Sequence, residues 1–142
     1  MEIAESIEAT RQSVIRMFQV LERAALLIML YSGKNNMQQL AKPEKVYLDN
    51  MNLMYALSSS ADIGNIRETF FANQLKQNHQ IAFSGQGDFR IDDVYTFEVG
   101  GKNKTFEQIK DVPNSYLVID GMEYGTGFLF GCLDFCISLH YS

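Results

Sequence analysis

The sequence predicts an α/β fold, and three observations carry that prediction. Apolar residues recur at helical spacing from Asp62 to Gln77, burying Ile66, Phe70 and Leu75, and the period then changes at Gln80 to short strand-like runs. Asp92-Asp93 separates two of those runs as a hairpin turn. Thr105 can cap a second helix to about Asp111, with Glu107 and Gln108 in its first turn, ahead of a buried apolar run from Tyr116 to Ile119. The strands between them are Gln80–Phe83, Asp88–Ile91 and Tyr95–Val99. The order from Asp62 to Asp120 is therefore α-β-β-β-α-β.

The chain ahead of this unit reads as helix, strand and turn. Glu2 to Glu8 forms a short helix, and Ala9-Thr10 a turn ending in an N-cap. Ser13 stands where a complete capping box would carry Glu or Gln. From Arg11, residues Val14, Phe18, Leu21 and Ala25 recur at helical spacing. Leu26 to Tyr31 is continuous and strand-like, and the polar run Ser32 to Asn36 is a turn. This order resembles the second half of a winged helix-turn-helix, and it equally suits a helix and hairpin packed on the downstream part of the chain. Because a full first helix is missing, packing is the expected role. Pro43 opens the next unit: Lys45 to Leu48 is a strand, and Asp49 or Asn50 caps a helix through Met51, Leu53, Met54 and Leu57. Ser58-Ser59-Ser60 is a loop.

Composition bounds the function. Of 142 residues, 46% are hydrophobic and 12% aromatic, enough for a packed core. The formal net charge of −5 argues against nucleic-acid binding through a broad basic surface, while leaving room for a local basic stripe. Ala24 to Tyr31, the longest apolar run, is far shorter than the roughly 20 residues of a membrane span. An acidic N-terminus and the lack of a leader pattern make a cytoplasmic location the expectation. Cys132 and Cys136, with only two histidines in the chain, are read as structural or accidental, not as zinc or disulfide partners.

The candidate chemistry lies in the carboxylates. Cleavage of a phosphodiester by metal ions needs acids that converge on Mg²⁺ or Mn²⁺, and a lysine to place water and neutralise developing charge. Asp88 starts the second predicted strand and Glu98 stands near the end of the third, so both can reach one end of the sheet. Glu68, midway along the preceding helix, can complete a three-carboxylate metal set. Taken singly, each acid suits a solvated surface, and Asp88 after Gly87 suits a turn; it is their strand order that suggests a site. Three meandering strands and a crossover to a fourth make the core of the restriction-endonuclease-like fold, whose third strand carries an acid-x-Lys triplet. Here the residue two beyond Glu98 is Gly100. Lys102, Lys104 and Lys110 are the candidate replacements, of which Lys102 is the expected one.

A specific resemblance supports this. Lys45 to Asn50, Asn52 to Leu57, Asn65 to Phe71, Gly87-Asp88-Phe89 and Phe97 to Lys102 resemble, in order, motifs of a prokaryotic family of AAA-type ATPases. Their C-terminal domain of unknown function is related to PD-(D/E)XK nucleases, and winged-helix elements precede it. The resemblance covers about residues 2 to 125. It implies a partial winged-helix segment over 1–40 and a nuclease-like domain over 41–127, with Asp88 and Glu98 as nuclease-motif acids and Glu68 as the first-helix acid. No GxxxxGK[ST] loop occurs, so the ATPase module and an ATP site are absent from the sequence.

The expected function is an accessory binding module without robust catalysis, with nucleic acid, a protein or a second copy as partner. A divalent-metal nuclease acting on DNA or RNA is the alternative. Residues 128–142 are expected to be a frameshifted tail: members of the family it resembles often end in Ile-Pro-Leu-Trp-Leu-Phe-Gly-Phe-Leu-Tyr, and one codon set can spell both that ending and the run from Phe128 to Ile137. On that view Cys132, Cys136 and His140 were never selected as ligands. Codons in the gene that are incompatible with the second frame would refute it.

Overall fold

The computed structural model describes residues 10–32, 42–58 and 60–121, together with the backbone of 129–131. Helix α1 (Arg11–Arg23) begins at Thr10, whose Oγ1 accepts from the Ser13 amide at 3.2 Å; the cap forms without the missing acid of a capping box. The helix buries Val14 and Ile15 and packs on strand β1 (Leu27–Leu30). Phe18 and Leu21 are only partly covered and Ala25 is exposed, so the buried stripe is narrower than the sequence spacing suggests.

A Schellman motif ends α1. The Ala25 amide donates to Glu22 C=O and the Leu26 amide to Leu21 C=O, both at 2.9 Å, with Ala25 at φ 55°. This left-handed position normally takes glycine, because a Cβ crowds the following carbonyl. Ala25→Gly is accordingly expected to stabilise the fold by about 0.5–1 kcal/mol, the relief of strain exceeding the added chain entropy. Thermal unfolding checks it, and an unchanged or lower Tm would contradict it.

Strands β1 and β2 (Lys45–Leu48) form an antiparallel hairpin, with Leu27 opposite Leu48 and Leu30 opposite Lys45. Helix α2 (Met51–Leu57) is capped by the Asn50 side chain on the Asn52 amide. Helix α3 (Ile63–Leu75) is capped by Asp62 on the Asn65 amide. Its buried stripe runs through Phe71, Ala72 and Leu75; Phe70 and Ile66, expected inside, are only partly covered. Glu68 lies one helical turn before Phe71 and Ala72, on the same face. The helix thus carries its carboxylate toward the core side.

A five-stranded sheet follows, in the order β3-β4-β5-β6-β7. Strands β3 (Ile81–Phe83), β4 (Phe89–Ile91) and β5 (Tyr95–Gly100) form an antiparallel meander. Asp92 and Asp93, at φ 51° and 58°, make the expected turn, closed by the Val94 amide on Ile91 C=O at 3.1 Å. Strand β6 (Ser115–Ile119) lies parallel to β5, which requires a crossover. The backbone of 129–131 adds β7 parallel to β6; otherwise the sequence's readings of Glu2–Glu8, the turn ending at Asn36, Ser59 and the tail fall outside the described residues.

The crossover corrects one sequence expectation. The helix predicted from Thr105 to Asp111 is a single 3-10 turn, Phe106–Gln108. Thr105 makes no side-chain cap, and the Ile109 and Val112 amides bond back three residues, to Phe106 and Ile109. So few residues before Pro113 leave little length for an α-helix to propagate.

One core joins β1, β2, α3 and strands β4 to β6, with Ile81 and Phe83 of β3 packed against it. Phe71, at the centre, has ring centroids 5.1 Å from Phe89 and 5.4 Å from Phe97, and Tyr47 lies 5.6 Å from Phe89. Ile28 and Leu30 of β1 belong to the same cluster, and the Phe83 amide bonds Tyr31 C=O at 3.0 Å. The boundary expected after residue 40 therefore falls between two strands that pair and share one core. No helix among the described residues is long and apolar enough to cross a membrane.

Candidate functional site

The three acids expected from the sequence lie near one end of the sheet, divided between two lysines. Asp88 immediately precedes β4, and its amide donates to Phe97 C=O at 2.9 Å, off the register in which Phe89 faces Phe97. Its Oδ2 accepts from the Val99 amide at 2.9 Å and its Oδ1 from Lys45 Nζ at 2.9 Å. The same ammonium is 3.2 Å from Glu68 Oε2, which also accepts from Tyr47 Oη. Alternation along β2 puts Lys45 and Tyr47 on one face, so a single strand brings both donors to Glu68. Lys45 also stands 6.0 Å from the Tyr47 ring centroid.

Electrostatics follows this geometry. Burial works against the Lys45 charge, but hydrogen bonds and attraction from Asp88 and Glu68 outweigh it and hold the pKa above the usual lysine value. Burial, and then the bond to Glu68, push the Tyr47 phenol far above its ordinary pKa. Tyr47 therefore acts here as a neutral donor.

Glu98 occupies different surroundings. Phe97 and Val99 belong to the aromatic core, so strand alternation turns Glu98, between them, toward the other face. It is 1% exposed; Oε1 pairs with Lys104 Nζ, while Oε2 has no hydrogen-bond partner. Burial raises its pKa, the Lys104 hydrogen bond lowers it and the Asp88 charge raises it again, with a net upward shift.

The lysine on Glu98 corrects the sequence assignment. Lys102 was the expected residue, yet it runs beside Gly121, where a Cβ would stand 3.2 Å from Lys102 Cε. The Lys104 amide closes a tight turn on Gly101 C=O at 2.9 Å, and that reversal carries Lys104 back over Gly100. A Cβ at residue 100 would lie 2.6 Å from Lys104 Cβ and Cγ, and one at residue 101 would lie 3.1 Å from the Arg67 guanidinium. The two glycines thus leave room for cations delivered from elsewhere. Lys110 pairs with Glu107 at 2.9 Å.

The cofactor expectation does not fit this arrangement. Among the described residues no three acidic, histidine or cysteine side chains are grouped to hold one metal ion. Glu68 and Asp88 already enclose an ammonium, and Glu98 has its own. Beside them lies an open cleft of about 550 Å³, lined by Arg67, Gly101, Lys102, Asn103, Lys104 and Asp120. Arg67 Nε bonds Asp120 Oδ2 at 3.0 Å across it.

Lys45 and Tyr47 are not among the site residues that the sequence marks. Their signal was the Lys-x-Tyr spacing on a strand, which reveals a shared face but not its partners. Comparison with known protein families, curated proteins and solved structures finds no match.

Proposed function

We propose that this chain is an accessory binding module: a restriction-endonuclease-like domain, associated with prokaryotic AAA-type ATPases, that binds a partner without robust cleavage. The observation that carries this reading is the Lys45 ammonium held at 2.9 Å from Asp88 and 3.2 Å from Glu68, where catalysis would call for a divalent ion. The meander followed by a parallel strand supports the fold assignment. Arg67, Lys102 and Lys104 line the cleft, Arg67 paired with Asp120 and Lys104 with Glu98, which leaves the Lys102 ammonium to meet the phosphodiester backbone of a nucleic acid. Purified protein with Mg²⁺ or Mn²⁺ is expected to leave DNA and RNA substrates intact. Cleavage that disappears in Asp88→Ala and Glu98→Ala would overturn the reading.

A divalent-metal nuclease is the second reading, favoured by one observation. Lys104 restores to Glu98 the ammonium that Gly100 denies it, and Glu98 Oε2 still lacks a partner. The same assay separates the two functions.

A further inference from the structure

We propose that Lys45 is a built-in counter-cation that excludes divalent metal from the space between Glu68 and Asp88, and that removing it opens this space to Mn²⁺ or Mg²⁺. The inference rests on the reading of the module as non-cleaving and adds the residue responsible. The Lys45 ammonium contacts an oxygen of each carboxylate. The Lys45 residue is fixed by the ladder to Leu30, and the preceding Glu44 amide bonds Leu30 C=O at 2.8 Å. The cation is thus delivered by a paired strand.

Charge decides the consequence. One ammonium leaves Glu68 and Asp88 together at −1, whereas a divalent ion admitted beside it would bring the cluster to +1 in a partly desolvated space. With the ammonium gone, two carboxylates and the Tyr47 hydroxyl remain as hard oxygen donors. Such a set suits an ion that keeps several waters, as Mg²⁺ does. Asp88 Oδ2 stays held by the Val99 amide, which fixes the carboxylate in place.

The experiment is thermal unfolding of wild type and Lys45→Met in MnCl₂ or MgCl₂, against NaCl of equal ionic strength. Without metal, Lys45→Met is expected to melt on the order of 10 °C below wild type. Saturating Mn²⁺ restores most of that loss, while wild type does not respond. The double variant Lys45→Met/Glu68→Gln, which removes a carboxylate along with the ammonium, should lose the Mn²⁺ response. If Lys45→Met is unfolded, folding on addition of Mn²⁺ supports the proposal, and failure to fold with Mn²⁺ counts against it. An intact Lys45→Met indifferent to both ions, or a double variant responding as strongly as the single, overturns it. Wild type that gains stability from Mn²⁺ also overturns it. Metal-dependent cleavage by wild type refutes the non-cleaving reading instead, so the two failures are distinguishable.

Discussion

Phe71→Ala is expected to lower stability by about 4 kcal/mol, a large share of the roughly 5–15 kcal/mol that holds an ordinary domain folded. Phe71 is fully buried where α3 meets the sheet, with Phe89 and Phe97 both against its ring. Truncation removes the transfer free energy of the ring and leaves a cavity between two strands and a helix, which cannot all close on it. The aromatic pairing with both neighbours is lost as well. Urea unfolding followed by circular dichroism measures the change. A midpoint shift equivalent to less than about 1 kcal/mol, far below the usual cost of such a truncation, would mean that the core is not organised around this ring. The neighbouring Phe70, only partly covered, should tolerate the same truncation better.

Glu98→Met is expected to act in the opposite direction, stabilising the fold by about 1–3 kcal/mol at pH 7, the range for an unsatisfied buried polar group. Methionine keeps comparable volume and removes a carboxylate whose Oε2 has no partner in a fully buried position. Lys104, whose side chain is 37% exposed, can rehydrate once released. The sign with pH comes from linkage. The folded pKa of Glu98 lies above the ordinary 4.5, so ionisation opposes folding. Relative to the ionised state, the stability it contributes is fully present below pH 4.5 and is lost as pH rises through the folded value. The advantage of methionine should therefore be largest near neutrality and shrink as the medium approaches about pH 4. A stability difference independent of pH would show that packing, not the charge, controls this position.

Where local chemistry decided the structure, the sequence was legible. The Asp92-Asp93 turn marks itself because aspartate tolerates positive φ, and the β4 and β5 strands on either side are set by it. Asp62 and Asn50 cap their helices through contacts two or three residues away. The hidden part depends on distance along the chain. Lys45 meets Asp88 across 43 positions, and nothing near Lys45 distinguishes it from a solvated strand residue. The segment after Thr105 has helix-forming residues and still makes a 3-10 turn, since its short span must deliver Ile109 into full burial before Pro113. Lys102 and Lys104 differ by two residues, and only the Gly101 turn determines which reaches Glu98.

That turn has a consequence for how the site can change over generations. A lysine within β5 would be bound to the pleat: inserting or deleting one residue would send it to the opposite face and slip every pairing beyond it. Lys104 reaches Glu98 from outside the ladder, over a glycine that offers no side chain of its own. Its reach can lengthen, shorten or be lost through changes in residues 101–104 while Val99 stays opposite Val118. Chemistry and scaffold are thereby uncoupled at this position, and descendants of this fold can gain or surrender the cation in small steps without passing through an unfolded ancestor.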